Sequence, residues 1–410
     1  MDRPLSRRQL LTRSALIGCS TAASPLITPI SFAAAPWDNR LAVIILRGAM
    51  DGLDALRPQG DPDYAALRGT SADRFESGGE DLDGFFTLHP ALQQLLPLWR
   101  RGELSFAHAV STPYRNKRSH FDGQDILEAG ILAPDAGRSR DGWLNRLLQI
   151  IGSANSDTAF AIGRDNMMIL SGAAPVSNWT PEANLALSPQ ALALARIVMA
   201  ADKAFNPVLD AALALADGDG DPVMLGEDGG TMLQSMMANM KPDTGKNGHL
   251  KIAEFAADRF RGEARVASFS LNGWDTHKNQ HVSLPKALTR LSETILTLEK
   301  NLGAIWGKTV VVAMTEFGRT ARLNGTHGTD HGTGSTMLMA GGALRGGVVH
   351  SQWPGLAEVD LYQRRDLMPT ADVRNYAAWL MHDLFGLSKP ELQEKVFPGL
   401  LMTENPRLIL

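Results

Sequence analysis

The run Leu41-Ala42-Val43-Ile44-Ile45-Leu46 contains six consecutive apolar residues, and Asp51 follows five residues after its end. An uninterrupted apolar run of this length is typical of a strand that is covered on both faces. Short runs of the same kind follow at 104–110, 266–271, 309–314 and 337–340. Segments with helical periodicity separate or follow them, at 91–100, 143–151, 190–201, 250–261, 284–306 and 372–385. This alternation predicts an α/β fold, a three-layer α/β/α sandwich around a mostly parallel central sheet.

The composition excludes several classes of protein. The 410 residues are 44% hydrophobic and 20% charged, as in globular chains and unlike disordered or collagen-like ones. The formal net charge is −4, whereas nucleic-acid binding needs clustered Lys and Arg, so we expect no nucleic-acid partner. The single cysteine excludes a disulfide framework and a cysteine-rich zinc site. Any metal must therefore be held by His, Asp and Glu side chains.

Residues 1–33 have the order of an export signal, with basic residues first, then a mildly apolar run, then small residues up to Ala33. The hexapeptide Ser6-Arg7-Arg8-Gln9-Leu10-Leu11 is typical of the twin-arginine type. We therefore expect the twin-arginine export machinery as a partner and a periplasmic or otherwise exported mature protein. The alternative is that this stretch forms a basic amphipathic helix of the mature protein.

A lipid anchor through Cys19 is a less favoured alternative. Leu16-Ile17-Gly18-Cys19 matches a lipoprotein cleavage box, but the apolar stretch before it is short and is interrupted by Arg13. No later stretch has the about 20 apolar residues that a transmembrane span requires, so we expect no span. The mature chain, 34–410, is predicted to form one α/β domain. An insertion is predicted at 205–246, where Met, Gly and Asp are frequent and strand signals are few.

Chelating side chains lie where the predicted strands end. In open α/β sheets, ligands bind beyond the carboxyl ends of the strands. The candidates follow 41–46, 266–271 and 309–314 or precede 337–340, and they are Asp51, Asp275, His277, Glu316, Asp330 and His331. Carboxylates suit hard divalent cations, and imidazoles shift the preference towards zinc, manganese or iron. Together these groups predict a metal site at one edge of the sheet.

Each candidate also has a structural interpretation when it is taken singly. Asp51 is at a position where a helix cap is equally plausible. A lone histidine such as His277 or His331 is more often a hydrogen-bonded structural residue than a ligand. Glu316 and Arg319 are close enough in sequence to form a local ion pair. The metal site is therefore predicted from the set and not from any one member.

A basic segment follows the 104–110 run and contains Arg115, Lys117 and Arg118, whose charges suit an oxyanion such as phosphate or sulfate. The hydroxyl of Ser119 is a candidate nucleophile that a metal could activate. Ser119 could equally cap a helix, with Asp122 at the third helical position. The residues leave both interpretations of Ser119 open.

Five segments and the twin-arginine leader match one known family over nearly the whole mature chain. The segments are 46–53 (LRGAMDGL), 88–92 (LHPAL), 118–125 (RSHFDGQD), 273–277 (GWDTH) and 315–320 (TEFGRT). In these the chain resembles the DUF1501 family, which belongs to the alkaline phosphatase/sulfatase-like superfamily. The resemblance implies an alkaline-phosphatase-like fold and a two-metal hydrolase or phosphomutase site.

The resemblance also assigns the residues of one metal site. Asp275 looks like the aspartate ligand of that site, with His277 or His281 as the nearby imidazole. His331, in the segment 328–331 (GTDH), resembles the closing metal histidine of phosphopentomutases. This site therefore keeps a histidine-rich ligand set.

The second metal site departs from the superfamily pattern. Asp51 matches the metal-binding aspartate that follows the first strand. Glu316-Phe317 stands where the superfamily has an Asp-His pair, so one carboxylate is kept and one imidazole is missing. Asp330 or His120 is the alternative that would complete this site, which could otherwise hold a harder ion, hold it weakly, or stay empty.

The predicted function is that of an exported metal-dependent hydrolase of phosphate or sulfate esters, acting on a small-molecule anionic ester. Divalent ions are the expected cofactor, whether zinc, manganese, magnesium or calcium. The predicted catalytic residues are Ser119 (with Thr112 behind it), His120, Arg118 and Arg319. The two arginines would stabilise the negative charge on the transferring phosphate or sulfate group.

Two other classes of function remain to be compared with the residues. A non-catalytic, metal-stabilised binding or assembly protein on the same fold is the alternative, which the missing imidazole at position 317 favours. An oxidoreductase is disfavoured because no Gly-x-Gly-x-x-Gly follows the first strand.

Overall fold

The computed structural model describes residues 37–68, 79–132, 141–151, 158–162, 167–179 and 247–410, all of which fall within one compact unit of the chain. The predicted export signal 1–33, the predicted helix 190–201 and the predicted insertion 205–246 lie outside these residues and stay predictions. None of the described helices combines the length and apolarity that crossing a membrane requires.

Twelve strands lie in the described residues. They are β1 (Arg40–Arg47), β2 (Leu56–Arg57), β3 (Glu80–Asp81), β4 (Thr87–Leu88), β5 (Leu104–Ser111), β6 (Ala159–Ile162), β7 (Ser177–Trp179), β8 (Val266–Asn272), β9 (Thr309–Met314), β10 (Ser335–Ala340), β11 (Val349–His350) and β12 (Ala371–Asp372). The helices in the same residues are α1 (Gly52–Ala55), α2 (Tyr64–Arg68), α3 (Leu96–Arg100), α4 (His120–Ala129), α5 (Trp143–Ile151), α6 (Gly248–Arg261), α7 (Gln280–Leu302) and α8 (Val373–Phe385). Shorter 3-10 turns span Pro90–Leu95, Met168–Leu170 and Gly303–Lys308, and a π-helical turn spans Glu391–Val396.

The central sheet of the described residues has nine strands in the order β11-β5-β10-β9-β1-β8-β6-β7, with β12 also paired to β5. β1 is parallel to β8 and β9, and β6 is parallel to β7 and β8. Only β10, among these strands, runs antiparallel to its neighbours, β9 and β5. β1, β5, β8 and β9 therefore all end at one edge of the sheet, and β10 begins at that edge.

The first strand is buried on both faces, as its sequence predicts. The odd-numbered residues of 41–46 pack into a core that includes α5 and α8, and the even-numbered residues pack into a second core that includes α6 and α7. All six side chains are at most 2% exposed. Burial of one such side chain as large as Ile44 contributes about 1.5–3 kcal/mol. One sheet with helices on both faces confirms the predicted α/β fold.

Some predicted boundaries were wrong for identifiable reasons. The helix expected over 91–100 is α only from Leu96 onwards. The preceding residues form a 3-10 turn because Pro97 has no N–H to donate to residue 93. The helix expected over 284–306 begins earlier, at Gln280, and ends at Leu302 because Gly303 adopts a positive φ of 54°. The short strands β6, β7, β11 and β12 were not predicted.

Candidate metal centre

Four chain segments meet at the edge where the central strands end. The loops after β5, β8 and β9 leave the sheet there, and the loop before β10 enters it there. The segments that follow β5, β8 and β9 and precede β10 carry His120 (the first residue of α4), Asp275, Glu316 and His331 respectively. Their convergence follows from the directions of the strands and not from proximity in sequence.

His120, Asp275, His277 and His331 form what we call the histidine–aspartate cluster. The Nε2 atoms of His277 and His331 lie 3.0 Å apart. Oδ1 of Asp275 lies 3.0 Å from Nε2 of His277 and 3.3 Å from Nε2 of His331. Nε2 of His120 lies 3.6 Å from Oδ2 of Asp275, and a group of ligand atoms from His120, Asp275 and His331 fits within 4.8 Å. Asp275 and His331 are therefore shared by two sets of three donors, one completed by His120 and the other by His277.

The far nitrogen of each imidazole is held by an acceptor. Nδ1 of His331 lies 2.9 Å from the carbonyl oxygen of Arg118, Nδ1 of His120 lies 2.7 Å from Oε1 of Glu316, and Nδ1 of His277 lies 3.2 Å from Oδ1 of Asp330. Carbonyl and carboxylate oxygens can only accept, so each Nδ1 donates and each neutral ring presents the lone pair of Nε2 to the cluster. Metal-binding histidines characteristically have this arrangement.

The cluster fits a transition-metal ion by its distances as well as by its donors. With bonds of about 2.0–2.1 Å, a tetrahedral ion separates its donors by about 3.3 Å and an octahedral ion by about 2.9 Å. The separations of 3.0 and 3.3 Å among His277, His331 and Asp275 lie in this interval. The 3.6 Å between Nε2 of His120 and Oδ2 of Asp275 is longer. Nε2 of His120 is buried and has no hydrogen-bond partner in the described part of the chain. A buried lone pair facing other lone pairs is costly unless a cation lies between them.

The protonation preferences of the rings differ because their surroundings differ. The hydrogen bond to Glu316 raises the pKa of His120, in spite of its partial burial. Burial lowers the pKa of His331, which favours the neutral form that binds metal. Protons and metal would therefore compete most strongly at His120.

Arg319 holds the carboxylate of the cluster in place. Its Nη1 donates to Oδ1 of Asp275 at 2.8 Å, and its Nε donates to the hydroxyl of Thr329 at 3.1 Å. The Arg319 side chain is fully buried. Burial opposes ionisation of Asp275, but the hydrogen bond and charge of Arg319 outweigh it and lower the pKa of Asp275. Asp275 is thus a fixed anion.

Glu316 lies beneath the cluster and contacts it through His120. Besides the bond from His120, its Oε1 accepts the backbone N–H of Gly48 at 3.0 Å, and its Oε2 accepts the hydroxyl of Thr315 at 3.0 Å. Burial opposes its ionisation, but the hydrogen bonds from His120 and Gly48 lower its pKa. Gly48 has φ of 121°, and a Cβ there would lie 2.5 Å from the backbone nitrogen of Asp275. Glycine at this position therefore permits the close approach of the two loops.

Asp330 occupies the solvent side of the cluster. It is exposed, and its Oδ1 accepts from His277 and from the side-chain amide of Asn324 at 3.1 Å. In this structure Asp330 and Glu316, both predicted as ligands, contact the outer nitrogens of histidines. His120, predicted as catalytic, lies within the cluster.

Asp51 does not face the histidines. Its carboxylate forms a two-point ion pair with Arg68, at 2.7 and 3.0 Å, and accepts from Nε2 of Gln280 at 2.7 Å. Its Oδ1 also accepts the N–H of Leu53 at 3.1 Å and caps α1. Burial opposes the ionisation of Asp51, but the charge of Arg68 outweighs it and lowers the pKa of Asp51. No sequence pattern pointed to Arg68, which lies in the five-residue helix α2.

Ser119 is the N-cap of α4. Its Oγ accepts the backbone N–H of Asp122 at 3.4 Å, and its own N–H donates to the hydroxyl of Tyr114 at 2.7 Å. Thr112, the second candidate hydroxyl, is buried and donates to the carbonyl of Glu316 at 3.0 Å. The side chain of Arg118 is exposed while its carbonyl holds His331. The catalytic roles of Ser119 and Arg118 stay predictions.

Several solved structures are similar to this chain at low identity. The lipoteichoic acid synthase LtaP from Listeria monocytogenes is 9% identical, with a TM-score of 0.40, covering 89% of this chain and 76% of that one. The C-terminal periplasmic domain of EcEptC from Escherichia coli, in complex with Zn, is 11% identical, with a TM-score of 0.38 and coverages of 90% and 92%. Alkaline phosphatase from the Antarctic bacterium TAB5 is 13% identical, with a TM-score of 0.34 and coverages of 75% and 92%. At these values the likenesses say nothing about activity.

Comparison with curated proteins gives no match. The family model described as "Protein of unknown function (DUF1501)" matches residues 100–394, which is more than half of the chain. The matched residues include His120, Asp275, His277 and His331. The chain therefore belongs to the DUF1501 family.

Proposed function

We propose that this protein is an exported, metal-dependent hydrolase of phosphate or sulfate esters. The observation that carries the proposal is the histidine–aspartate cluster, in which Asp275 and His331 approach both His120 and His277 while each Nδ1 is held by an acceptor. A donor set of nitrogen and oxygen atoms suits zinc or manganese. The metal would be held by His120, Asp275, His277 and His331.

A metal bound there would polarise an ester oxygen and lower the pKa of a bound water molecule. The chain's own residues prepare the site for this. Glu316, Asp330 and the carbonyl of Arg118 hold the imidazoles in the tautomer that binds metal, and Arg319 holds Asp275 ionised.

An anionic substrate suits the charges at the mouth of the site. The side chains of Lys117 and Arg118 are exposed and lie three and two residues before His120 in sequence. Arginine binds phosphate and sulfate groups in a two-point geometry, so Arg118 is the proposed substrate-binding cation. Ser119 is the proposed nucleophile, because a hydroxyl that accepts one bond as a helix cap keeps its proton and a second lone pair.

The proposal is tested by metal analysis and ester hydrolysis on the same preparations. We expect bound metal and turnover of a chromogenic phosphate or sulfate ester in the wild type, and loss of both in His331→Ala. The matched control is His249→Ala, because His249 pairs with Glu293 at 2.7 Å in α6 and α7, away from the cluster. Wild-type protein that binds zinc or manganese but cleaves no phosphomonoester, phosphodiester or sulfate ester would refute the hydrolase.

A non-catalytic metal-stabilised binding or assembly protein is the second candidate, and the use of the Ser119 hydroxyl as a cap favours it. In that case chelation would lower the melting temperature of the wild type while no ester is cleaved at any metal concentration. Ser119→Ala separates the two functions. It should abolish turnover in the hydrolase, whereas in the binding protein it should only weaken the helix cap by about 1 kcal/mol.

Export is proposed from the leader sequence alone. Replacing both Arg7 and Arg8 by Lys should leave the protein in the cytoplasm, because the twin-arginine signal is read by its two arginines. Fractionation of cells that express the full chain measures this. Unchanged export of the double variant would show that another route is used.

A further inference from the structure

The resemblance to two-metal hydrolases implies a second cation between Asp51 and Glu316, and the structure offers a direct test of that implication. A metal ligand must have lone pairs that face the ion. The bonds already made by Asp51 and Glu316 therefore decide whether a second ion fits.

Both oxygens of Asp51 are already fully used. Oδ1 accepts from Leu53 and from Nη2 of Arg68, and Oδ2 accepts from Nη1 of Arg68 and from Gln280. A carboxylate has about four lone-pair sites, and four donors occupy them here. Asp51 and Arg68 are 1% and 2% exposed, so the pair is dry. A metal at Asp51 would have to displace a buried guanidinium.

Glu316 is occupied at one of its two oxygens. Oε1 accepts from His120, from the N–H of Gly48 and, at 3.3 Å, from Nε2 of Gln124. Oε2 lies 3.0 Å from the hydroxyl of Thr315, which has one proton and also lies 2.8 Å from the carbonyl oxygen of Leu46. Glu316 is completely buried. Asp51 is therefore the main obstacle to a second ion.

The charges near Asp51 leave nothing for a second ion to neutralise. Asp54 pairs with Nε of Arg57 at 3.0 Å beside the Asp51–Arg68 pair, and Gln280 donates to both aspartates. Two buried aspartates are thus matched by two buried arginines. Placing a dication beside these arginines in a dry interior would be repulsive.

The charges at the histidine–aspartate cluster are different. Asp275 belongs to the cluster, Glu316 and Asp330 contact it, and Arg319 pairs with Asp275. Arg365 donates to the backbone carbonyl of His331, but its charge is paired with Asp366 at 3.2 Å. With neutral histidines, two negative charges stay uncompensated. One divalent ion neutralises them.

We propose that this protein holds one divalent ion, in the histidine–aspartate cluster, and that the guanidinium of Arg68 takes the place of a second cation by binding Asp51. The proposal rests on the proposed metal binding, and it deepens the proposed function. It makes Arg68 a structural counter-ion and places every metal-dependent step at a single ion.

Native mass spectrometry of the full chain, freed of metal and titrated with Zn²⁺ or Mn²⁺, tests the proposal. We expect about one ion per folded chain at saturation. The double variant Asp51→Asn with Arg68→Met, which removes the buried pair together, should still bind one ion, with a dissociation constant within about threefold of the wild type. Asp275→Asn should lose it.

Two specific ions per wild-type chain would overturn the proposal and leave the hydrolase standing. Loss of the single ion from the double variant, with its circular dichroism unchanged, would also overturn it. If the double variant does not fold, the wild-type stoichiometry decides. Absence of any bound ion would refute both the proposal and the proposed function, whereas a one-ion protein without turnover would refute only the hydrolase.

Discussion

Replacing Glu316 by Gln is the sharpest test of how the chain prepares its histidines for metal. Glu316 is completely buried, and its Oε1 lies 2.7 Å from Nδ1 of His120 and 3.0 Å from the N–H of Gly48. In Glu316→Gln one oxygen must accept from both donors. If the amide NH₂ faces His120 instead, the ring proton moves to Nε2 and the ligand is lost.

The size of the effect follows from the position of Glu316 behind the ligand. Removal of an outer partner of a metal-binding histidine typically weakens metal binding 10- to 100-fold, which corresponds to about 1.4–2.7 kcal/mol. We therefore expect the dissociation constant of Glu316→Gln for Zn²⁺ to be about 10- to 100-fold higher than that of the wild type. It should still be lower than the dissociation constant of Asp275→Asn. Competition with a chromophoric chelator measures the dissociation constants.

The matched control is Glu293→Gln, because Glu293 forms the same kind of bond, at 2.7 Å, with His249. Its metal affinity should equal that of the wild type. Equal affinities for Glu316→Gln and Glu293→Gln would refute the assignment of Glu316 as the partner of a ligand. Complete loss of metal from Glu316→Gln would instead make Glu316 a ligand itself.

Three further predictions concern stability. Ile44→Ala, in the fully buried middle of β1, should lower the free energy of unfolding in urea by about 2–5 kcal/mol, whereas Val359→Ala, at an exposed side chain, should change it by less than about 0.5 kcal/mol. Burial raises the pKa of Asp366 to about 6, above the value of about 3.9 in the unfolded chain, so the native state binds the extra proton. The contribution of Asp366 to stability should therefore fall by on the order of 2 kcal/mol as the pH rises from about 4 to about 6, and the difference between the wild type and Asp366→Asn in urea unfolding should change with pH by that amount. An ion present at 100 times its dissociation constant stabilises the native state by about 2.7 kcal/mol, so EDTA should lower the melting temperature of the wild type in calorimetry and leave that of His331→Ala unchanged.

The strands were predictable because burial on both faces leaves a plain pattern. The run 41–46 is apolar at every position since β1 faces helices on both sides, and the predicted runs 104–110, 266–271 and 309–314 coincide with β5, β8 and β9 to within one residue. β6 has four residues and β11 and β12 have two each. Strand side chains alternate with a period of two residues, so segments this short contain only one or two repeats of the pattern.

The sequence indicated which strand ends meet at one edge, but not which of the side chains there face one another. A residue that directly follows a predicted strand lies at the edge where that strand ends, so the order of the sequence is enough to place it there. Whether Glu316 or His120 presents an atom to the centre depends on loop geometry and rotamer, which no spacing rule determines. The pairing of Asp51 with Arg68 was equally hidden, because α2 is a five-residue helix with no distinctive motif.

The direction of β10, which its sequence does not predict, decides where His331 lies. An apolar run has no direction, so 337–340 was expected as one more strand of a mostly parallel sheet. β10 has six residues and is antiparallel to β9, so its first residue, and His331 before it, lie at the edge where β8 and β9 end. In a parallel strand of the same length, the start would lie at the opposite edge, about 20 Å away at about 3.3 Å per residue. His331 would then be out of reach of Asp275 and His277. The reversal of this one strand therefore brings the third imidazole to the cluster.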